Sequence, residues 1–300
     1  MQKEIIALYK NGRPIREISR KLSLDRRNIK NILEENKVKI RNSRTALIQM
    51  GHIKEKRKFK LNKQNKAYLF GLVSGDLTPV KKSNYTLKLI THTTHIFFAD
   101  LLYRIFAKYG PTNYIINKRG EFRFQSHLDL ESFAFLLKTK KEEIPNWIKK
   151  ENFLSYLAGF VDSDGSIIIR KTGEYFQYVI RFFGENLKIL KEIKTRLQSL
   201  GYRPSMHKNH SKGDSSNYKG IKIKYNKDYY CLEIYRKAET LRLMKEIPIK
   251  HPEKIAKIKL ISSIKKRNIL NWKEIKVEVK ALKSRIKESV LSKEKLNLMH

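Results

Sequence analysis

The sequence predicts an α+β protein built of two related halves behind a small all-helical module. Three observations carry that reading. The stretch Tyr156-Leu157-Ala158-Gly159-Phe160-Val161-Asp162-Ser163-Asp164-Gly165 has an earlier copy, Tyr68-Leu69-Phe70-Gly71-Leu72-Val73-Ser74-Gly75-Asp76-Leu77, aligned without a gap 88 positions upstream. After each copy the chain runs through the same order of strand and helix signals. The first 41 residues instead carry apolar residues at helical spacing only.

The charge is one-sided. The 300 residues hold 66 Lys+Arg against 29 Asp+Glu, a formal +37. So much positive charge in one molecule repels itself unless a polyanion neutralises it, and nucleic acid is the first candidate. The single cysteine, Cys231, excludes an internal disulfide and a Cys-based zinc site, and reads as a buried small hydrophobe. The start Met1-Gln2-Lys3-Glu4 has no apolar signal region, and no apolar run approaches a membrane span. These features predict a soluble intracellular protein, in cytoplasm, nucleoid or an organelle matrix, with no membrane contact.

Residues 1–65 hold 19 Lys+Arg and 6 Asp+Glu, a net +13. Within them, residues 1–41 predict three short helices. Asn11-Gly12 stops the first, Pro14 precedes the second, and Ser23-Leu24-Asp25 is a tight break in which Asp25 can cap the third. Two helices joined by a three-residue turn make a helix-turn-helix, whose second helix enters the major groove N-terminus first. Arg26, Arg27, Asn28 and Lys30 then become DNA-binding candidates. The segment resembles the helix-turn-helix of resolvase and invertase recombinases. Residues 42–65, with Lys54, Lys56, Arg57, Lys58 and Lys60, predict a basic linker touching DNA backbone.

Residues 66–151 and 152–265 form the two halves. In the first, 85–91 alternates like a strand, 94–109 is helical, 112–117 and 121–127 are strands around Lys118-Arg119-Gly120, and 128–137 is helical. In the second, 166–171 and 175–183 form a hairpin and 186–200 is a helix ended by Gly201. A strand over 202–207, a polar loop, a strand pair over 219–225 and 229–235, and a helix over 237–245 complete it. Two copies in one chain predict pseudo-two-fold symmetry, which suits a duplex.

On helices, Gly71 and Gly75 share one face, as do Gly159 and Ser163. Small residues at that spacing let two helices pack closely and form the seam between halves. Asp76 and Asp164 then fall at the same end of the helix pair. Two neighbouring carboxylates call for a hard divalent cation, Mg²⁺ first. Asp162 lies two residues from Asp164 and cannot face the same point on a helix, so it is not counted as catalytic.

The motif resembles that of the LAGLIDADG homing endonucleases of the monomeric two-motif type. Leu157 through Gly165 match closely, Leu69 through Leu77 more loosely, and the likeness extends over about residues 66 to 265. The resemblance implies an αββαββα fold in each half, with antiparallel sheets forming a saddle over DNA. It implies double-strand cleavage of a long near-palindromic DNA target by metal-assisted hydrolysis, with Mg²⁺ as cofactor and Mn²⁺ able to substitute. It implies a monomer with no protein partner. The eighth motif residue, as metal ligand and catalytic residue, carries over to Asp76 and Asp164. The family's assisting lysine carries over by segment to Lys250, in Ile247-Pro248-Ile249-Lys250-His251-Pro252. Leu77 stands where the family has glycine, so a different exit from the first helix is expected.

Strand alternation assigns the outward residues: Thr86, Lys88, Arg123 and Gln125 in the first half, Arg170, Gln177, Arg181, Lys222 and Lys224 in the second. His92 and His95, and His207 and His210, have zinc-compatible spacing but no third ligand, and read as surface histidines. Residues 266–300 predict a basic C-terminal helix after a helix starting at Pro252. The competing function is a non-catalytic nucleic-acid-binding protein on the same fold, an intron RNA maturase or a transcription regulator.

Overall fold

The computed structural model describes residues 1–51, 59, 62–117, 120–137, 143–218 and 221–298. Contacts divide the chain into two units, Met1–Arg57 and Lys58–His300.

In the first unit α1 (Gln2–Lys10), α2 (Ile15–Leu22) and α3 (Arg26–Glu35) enclose Ile5, Tyr9, Ile18, Ile29 and Leu33. The breaks follow local chemistry. Ser23 takes a left-handed conformation at φ 53°, and Asp25 caps α3 by accepting from the Arg27 amide at 2.6 Å. Arg41 ties the end of this bundle down: its amide donates to Tyr9 Oη at 2.7 Å, and its guanidinium lies 4.1 Å from the Tyr9 ring centre. A fourth helix, α4 (Ser43–Gln49), capped by Asn42, occupies part of the expected linker. The lysines and arginine singled out there, Lys54, Lys56, Arg57, Lys58 and Lys60, lie outside the described residues.

The second unit is built on α5 (Lys63–Ser74). Strands β1 (Thr78–Lys81) and β2 (Thr86–Thr93), helix α6 (Ile96–Phe106), and strands β3 (Thr112–Ile116) and β4 (Phe122–Asp129) follow. The half closes with a single turn, α7 (Leu130–Phe133). The second half repeats this order: α8 (Lys150–Ser163), β5 (Gly165–Thr172), β6 (Tyr175–Gly184), α9 (Leu187–Ser199), β7 (Ser205–His210), a hairpin β8 (Ser215–Tyr218) and β9 (Ile221–Lys224), β10 (Tyr229–Ile234), and α10 (Lys237–Glu246). Two antiparallel four-stranded sheets result, ordered β1-β2-β4-β3 and β5-β6-β10-β7. Helices α11 (Pro252–Lys266) and α12 (Trp272–Leu298) complete the unit.

The central turns of α5 and α8 are largely apolar all round because they are buried all round. Residues 67–73 are buried throughout, as are Tyr156 through Asp162. A Cβ on Gly71 would stand 2.0 Å from the Tyr156 carbonyl, and one on Gly159 would stand 2.0 Å from the Tyr68 carbonyl. The two backbones therefore touch at reciprocal glycines, where no larger residue fits.

Several elements differ from expectation, and β7 lies three residues later than the strand expected over 202–207. Strand β1 escaped notice because Pro79 interrupts its pattern; proline is tolerated there because β1 is an edge strand. The helix expected over 128–137 begins later, since β4 runs to Asp129. The pair expected between 219–225 and 229–235 does not form. Strand β9 pairs with β8, while β10 pairs with β6 and β7. The Tyr225 amide donates to the Asp214 carbonyl at 2.8 Å and closes this hairpin on itself. Lys222 and Lys224 therefore sit on an excursion and not on the four-stranded sheet; the Lys222 side chain lies outside the described residues.

The exits of the motif helices also differ. α5 ends at Ser74 and α8 at Ser163, one motif position later. Gly165 is needed, since a Cβ there would stand 2.6 Å from Val161 Cα. Leu77, in the matching seat, instead buries its side chain completely in the core.

Candidate active site

The chain leaving each motif helix brings a carboxylate to one mouth. Ser163 turns its hydroxyl back to the Gly159 and Phe160 carbonyls, both at 3.1 Å, and Asp164 forms the C-cap of α8. Gly75 passes so close that a Cβ on it would stand 3.2 Å from Asp164 Oδ2. Asp76 is the next residue. Both aspartates are exposed, and both line one cleft of about 350 Å³. Thr93, His95, Glu253, Lys254 and Lys257 also border it.

Lys254 is a buried cation bordering this cleft, and the sequence pattern did not single it out. Its ammonium is buried and donates to the carbonyls of Val161, of Asp162 at 2.9 Å and of Ser163 at 3.5 Å. These are the last carbonyls of α8, where the helix dipole favours a cation. Burial lowers the Lys254 pKa to about 8, against the opposing pull of Asp162, Asp164 and Asp76. The signal for it was present: Lys254 is four residues beyond Lys250, in the first turn of the helix that Pro252 begins.

Lys250 is not among the residues lining the cleft. Its amide donates to Asp162 Oδ2 at 2.8 Å, and its ammonium lies 4.1 Å from the Tyr68 ring centre, with burial lowering its pKa. Asp162 is completely buried. The same Oδ2 accepts from Tyr68 Oη at 2.8 Å, so this carboxylate joins α5, α8 and the segment entering α11. Burial raises its pKa, and the Lys250 amide and Tyr68 hydroxyl oppose that rise.

His251 is also buried. Its Nδ1 accepts from the Glu253 amide at 3.3 Å, and burial lowers its pKa to about 3, so it is neutral at ordinary pH. His95 lies 3.8 Å from Glu253, and His210 stacks on Tyr225 at 4.0 Å.

The two exposed carboxylates fit a hard divalent cation. They are hard oxygen donors, and no set of three His, Cys, Asp or Glu residues that could hold a metal occurs among the described residues. Two carboxylates leave the rest of an ion's shell open, which suits a hard divalent cation and not a closed zinc site.

On the first sheet Thr86, Lys88, Arg123 and Gln125 lie on the face opposite the buried Leu87, Leu89, Phe122 and Phe124. On the second, Arg170, Gln177 and Arg181 share a face, and a buried acid, Glu233, stands beside them. In the N-terminal unit Arg26, Arg27, Asn28 and Lys30 are exposed on the first turns of α3.

Residues 151–248 match the family model described as the LAGLIDADG-like domain. Over 188 residues the chain is 29% identical to the uncharacterized protein MJ0314 of Methanocaldococcus jannaschii, covering 60% of this chain and 69% of that one. Among solved structures, mesophilic variants of the homing endonuclease I-DmoI align over 65% of this chain and 96% of theirs, at 14% identity and a TM-score of 0.42. The meganuclease I-SmaMI bound to uncleaveable DNA aligns over 74% and 98%, at 14% identity and 0.44. The LAGLIDADG homing endonuclease I-GzeII in complex with its DNA target aligns over 76% and 98%, at 13% identity and 0.42. Residues 151–248 are thus similar to the LAGLIDADG-like domain, and the half before them repeats their order of elements around the seam of α5 and α8.

Proposed function

We propose that the protein is a site-specific DNA endonuclease that makes double-strand breaks by metal-assisted phosphodiester hydrolysis. The observation that supports this most is the meeting of Asp76 and Asp164 at one cleft, at the ends of two helices in backbone contact. Asp76 and Asp164 would hold Mg²⁺, with Mn²⁺ a substitute. Bound there, the ion supplies charge neutralisation at the scissile phosphate and a more acidic water. The chain's own residues do the rest. The carboxylates fix where oxygen ligands gather, and Lys254 adds positive charge beside them while holding the end of α8. Lys250 braces the seam through its amide.

The +37 charge and the two polar sheet faces support a duplex as the substrate. Pseudo-symmetric halves favour a long near-palindromic target bound by one monomer. Arg26, Arg27, Asn28 and Lys30 would add contacts through the N-terminal unit. No helix among the described residues is long and apolar enough to cross a membrane.

The test is direct. The full chain is incubated with a randomised duplex library and Mg²⁺, and the ends are sequenced. Defined double-strand breaks that vanish in Asp76→Asn and in Asp164→Asn support the nuclease. Binding without breaks favours the second reading, a nucleic-acid-binding protein, for which the exposed basic turns of α3 are a metal-independent reader.

A further inference from the structure

Arg170, Gln177 and Arg181 look in the sequence like three separate readers of DNA. In the fold they are one assembly. The register places Arg170 opposite Gln177, and Arg181 between Ser166 and Glu233. Arg170 donates to both oxygens of Glu233, at 3.1 and 3.0 Å, and through Nε to Gln177 Oε1 at 3.2 Å. Arg181 donates to Glu233 Oε1 through Nε at 2.6 Å. The Glu233 side chain is only 5% exposed, whereas those of Arg170 and Arg181 are 33% and 24% exposed.

That gradient has a meaning. The acid lies at the bottom and the guanidiniums above it, partly open to solvent. Burial by itself would raise the Glu233 carboxyl, yet hydrogen bonds from Arg170 and Arg181 hold it below its ordinary value. The three groups together keep a single net positive charge. Each guanidinium has five N–H donors in a fixed fork. Those spent on Glu233 and Gln177 lock each plane, and each guanidinium keeps further N–H donors on a side chain that is partly open to solvent. A free arginine loses rotamer entropy when it grips a base or phosphate; an arginine already clamped has lost it on folding.

We propose that Glu233 is a specificity-determining positioning residue, which locks Arg170 and Arg181 into one rigid two-arginine reader of adjacent positions in a DNA duplex. The inference rests on the DNA-binding part of the proposed function and not on cleavage. Glu233 need not touch DNA; it acts through the two arginines. Its negative charge opposes non-specific attraction to phosphate, while its geometry favours the sequence that fits the locked edges.

This predicts opposite signs for two quantities that a merely structural role would move together. The full chain and its Glu233→Gln, Arg170→Ala and Arg181→Ala variants are each bound to a randomised duplex pool in EDTA. Bound DNA is sequenced, and affinity for a scrambled duplex is measured alongside. Glu233→Gln should bind the scrambled duplex more tightly, by about threefold, because one opposing charge is gone. It should also flatten base preference about tenfold, at the same positions that Arg170→Ala and Arg181→Ala flatten. An unchanged preference profile in Glu233→Gln overturns the proposal, as does weaker binding to the scrambled duplex. If Glu233→Gln fails to fold, the Arg170→Ala, Arg181→Ala double variant decides. Losses well below additive support one unit, and additive losses at separate positions overturn it. Wild-type protein that binds no duplex refutes the proposed function and this inference together. Specific binding with an unmoved Glu233→Gln profile refutes this inference alone.

Discussion

Tyr68 donates its hydroxyl to Asp162 Oδ2 at 2.8 Å, across the seam between the two motif helices. The pseudo-symmetric pair is Tyr156 and Ser74, two neutral hydroxyls, neither of which completes a hydrogen bond of normal geometry. The seam is therefore symmetric at Gly71 and Gly159 and asymmetric in its polar groups. Only the Asp162 side also binds the Lys250 amide. Tyr68→Phe should destabilise the protein by about 1–3 kcal/mol, because it strips a buried carboxylate of a partner. Tyr156→Phe should be close to neutral. Urea melts of the two variants test the contrast, and equal losses would remove the asymmetry.

The same asymmetry predicts unequal cutting. Asp164→Asn should stop one strand while the other is cut at the wild-type rate, so nicked plasmid accumulates. Strand-resolved gels on a target-bearing supercoiled plasmid make the measurement. Equal loss on both strands would count against independent sites.

Close approach of backbones sets a steric prediction. Gly71→Ala and Gly159→Ala should each cost at least about 3 kcal/mol, since the obstacle is a carbonyl of the facing helix. Gly75→Ala meets the side chain of Ser163 instead, with Oγ at 2.0 Å from the new Cβ. Its loss should be recovered by adding Ser163→Gly. Thermal melts of the single and double variants check both statements, and rescue of Gly71→Ala by any side-chain trimming would contradict them.

The buried ammonium of Lys254 predicts a pH dependence. Its pKa is lowered from 10.5 to about 8 in the folded chain. Between those values the unfolded chain binds more protons than the folded one, so wild-type stability rises with pH relative to Lys254→Met. The stability is complete above 10.5 and is lost as pH falls through about 8. The slope is at most about 1.4 kcal/mol per pH unit. Urea unfolding of both proteins on either side of this window measures it, and a flat or falling difference would refute the assignment.

Arg123 stands on the outward face of β4, level with His92 on β2. Arg123→Ala should relax one position of the recognised site and leave the others intact. A site-preference profile identical to the wild type would remove Arg123 from the reading face.

The parts of this molecule legible in the sequence are those written in local pattern. Gly71, Gly159, Asp76 and Asp164 stand out because the motif occurs twice, and most strands alternate visibly. What stayed hidden depends on partners far away in the chain. Asp162 looked idle because a helix turns it away from Asp164, and nothing local says that Tyr68 and Lys250 meet there. Glu233 is one acid in a strand until the register sets it beside Arg181. β1 was masked by Pro79, whose tolerance depends on the strand being at an edge. The excursion carrying Lys224 was misplaced because two strand signals in succession look alike whichever partner each one takes.

That excursion has a consequence for how such a protein can change. β7 and β10 pair directly, with His210 opposite Tyr229, so the sheet is already closed beneath residues 211–228. The hairpin hangs from a finished edge and contributes no strand to it. Lengthening such a loop costs only about 0.6 kcal/mol per doubling. The segment is thus open to insertion, deletion and exchange while the fold stays fixed, a place where a lineage or a designer can vary reach without rebuilding the core.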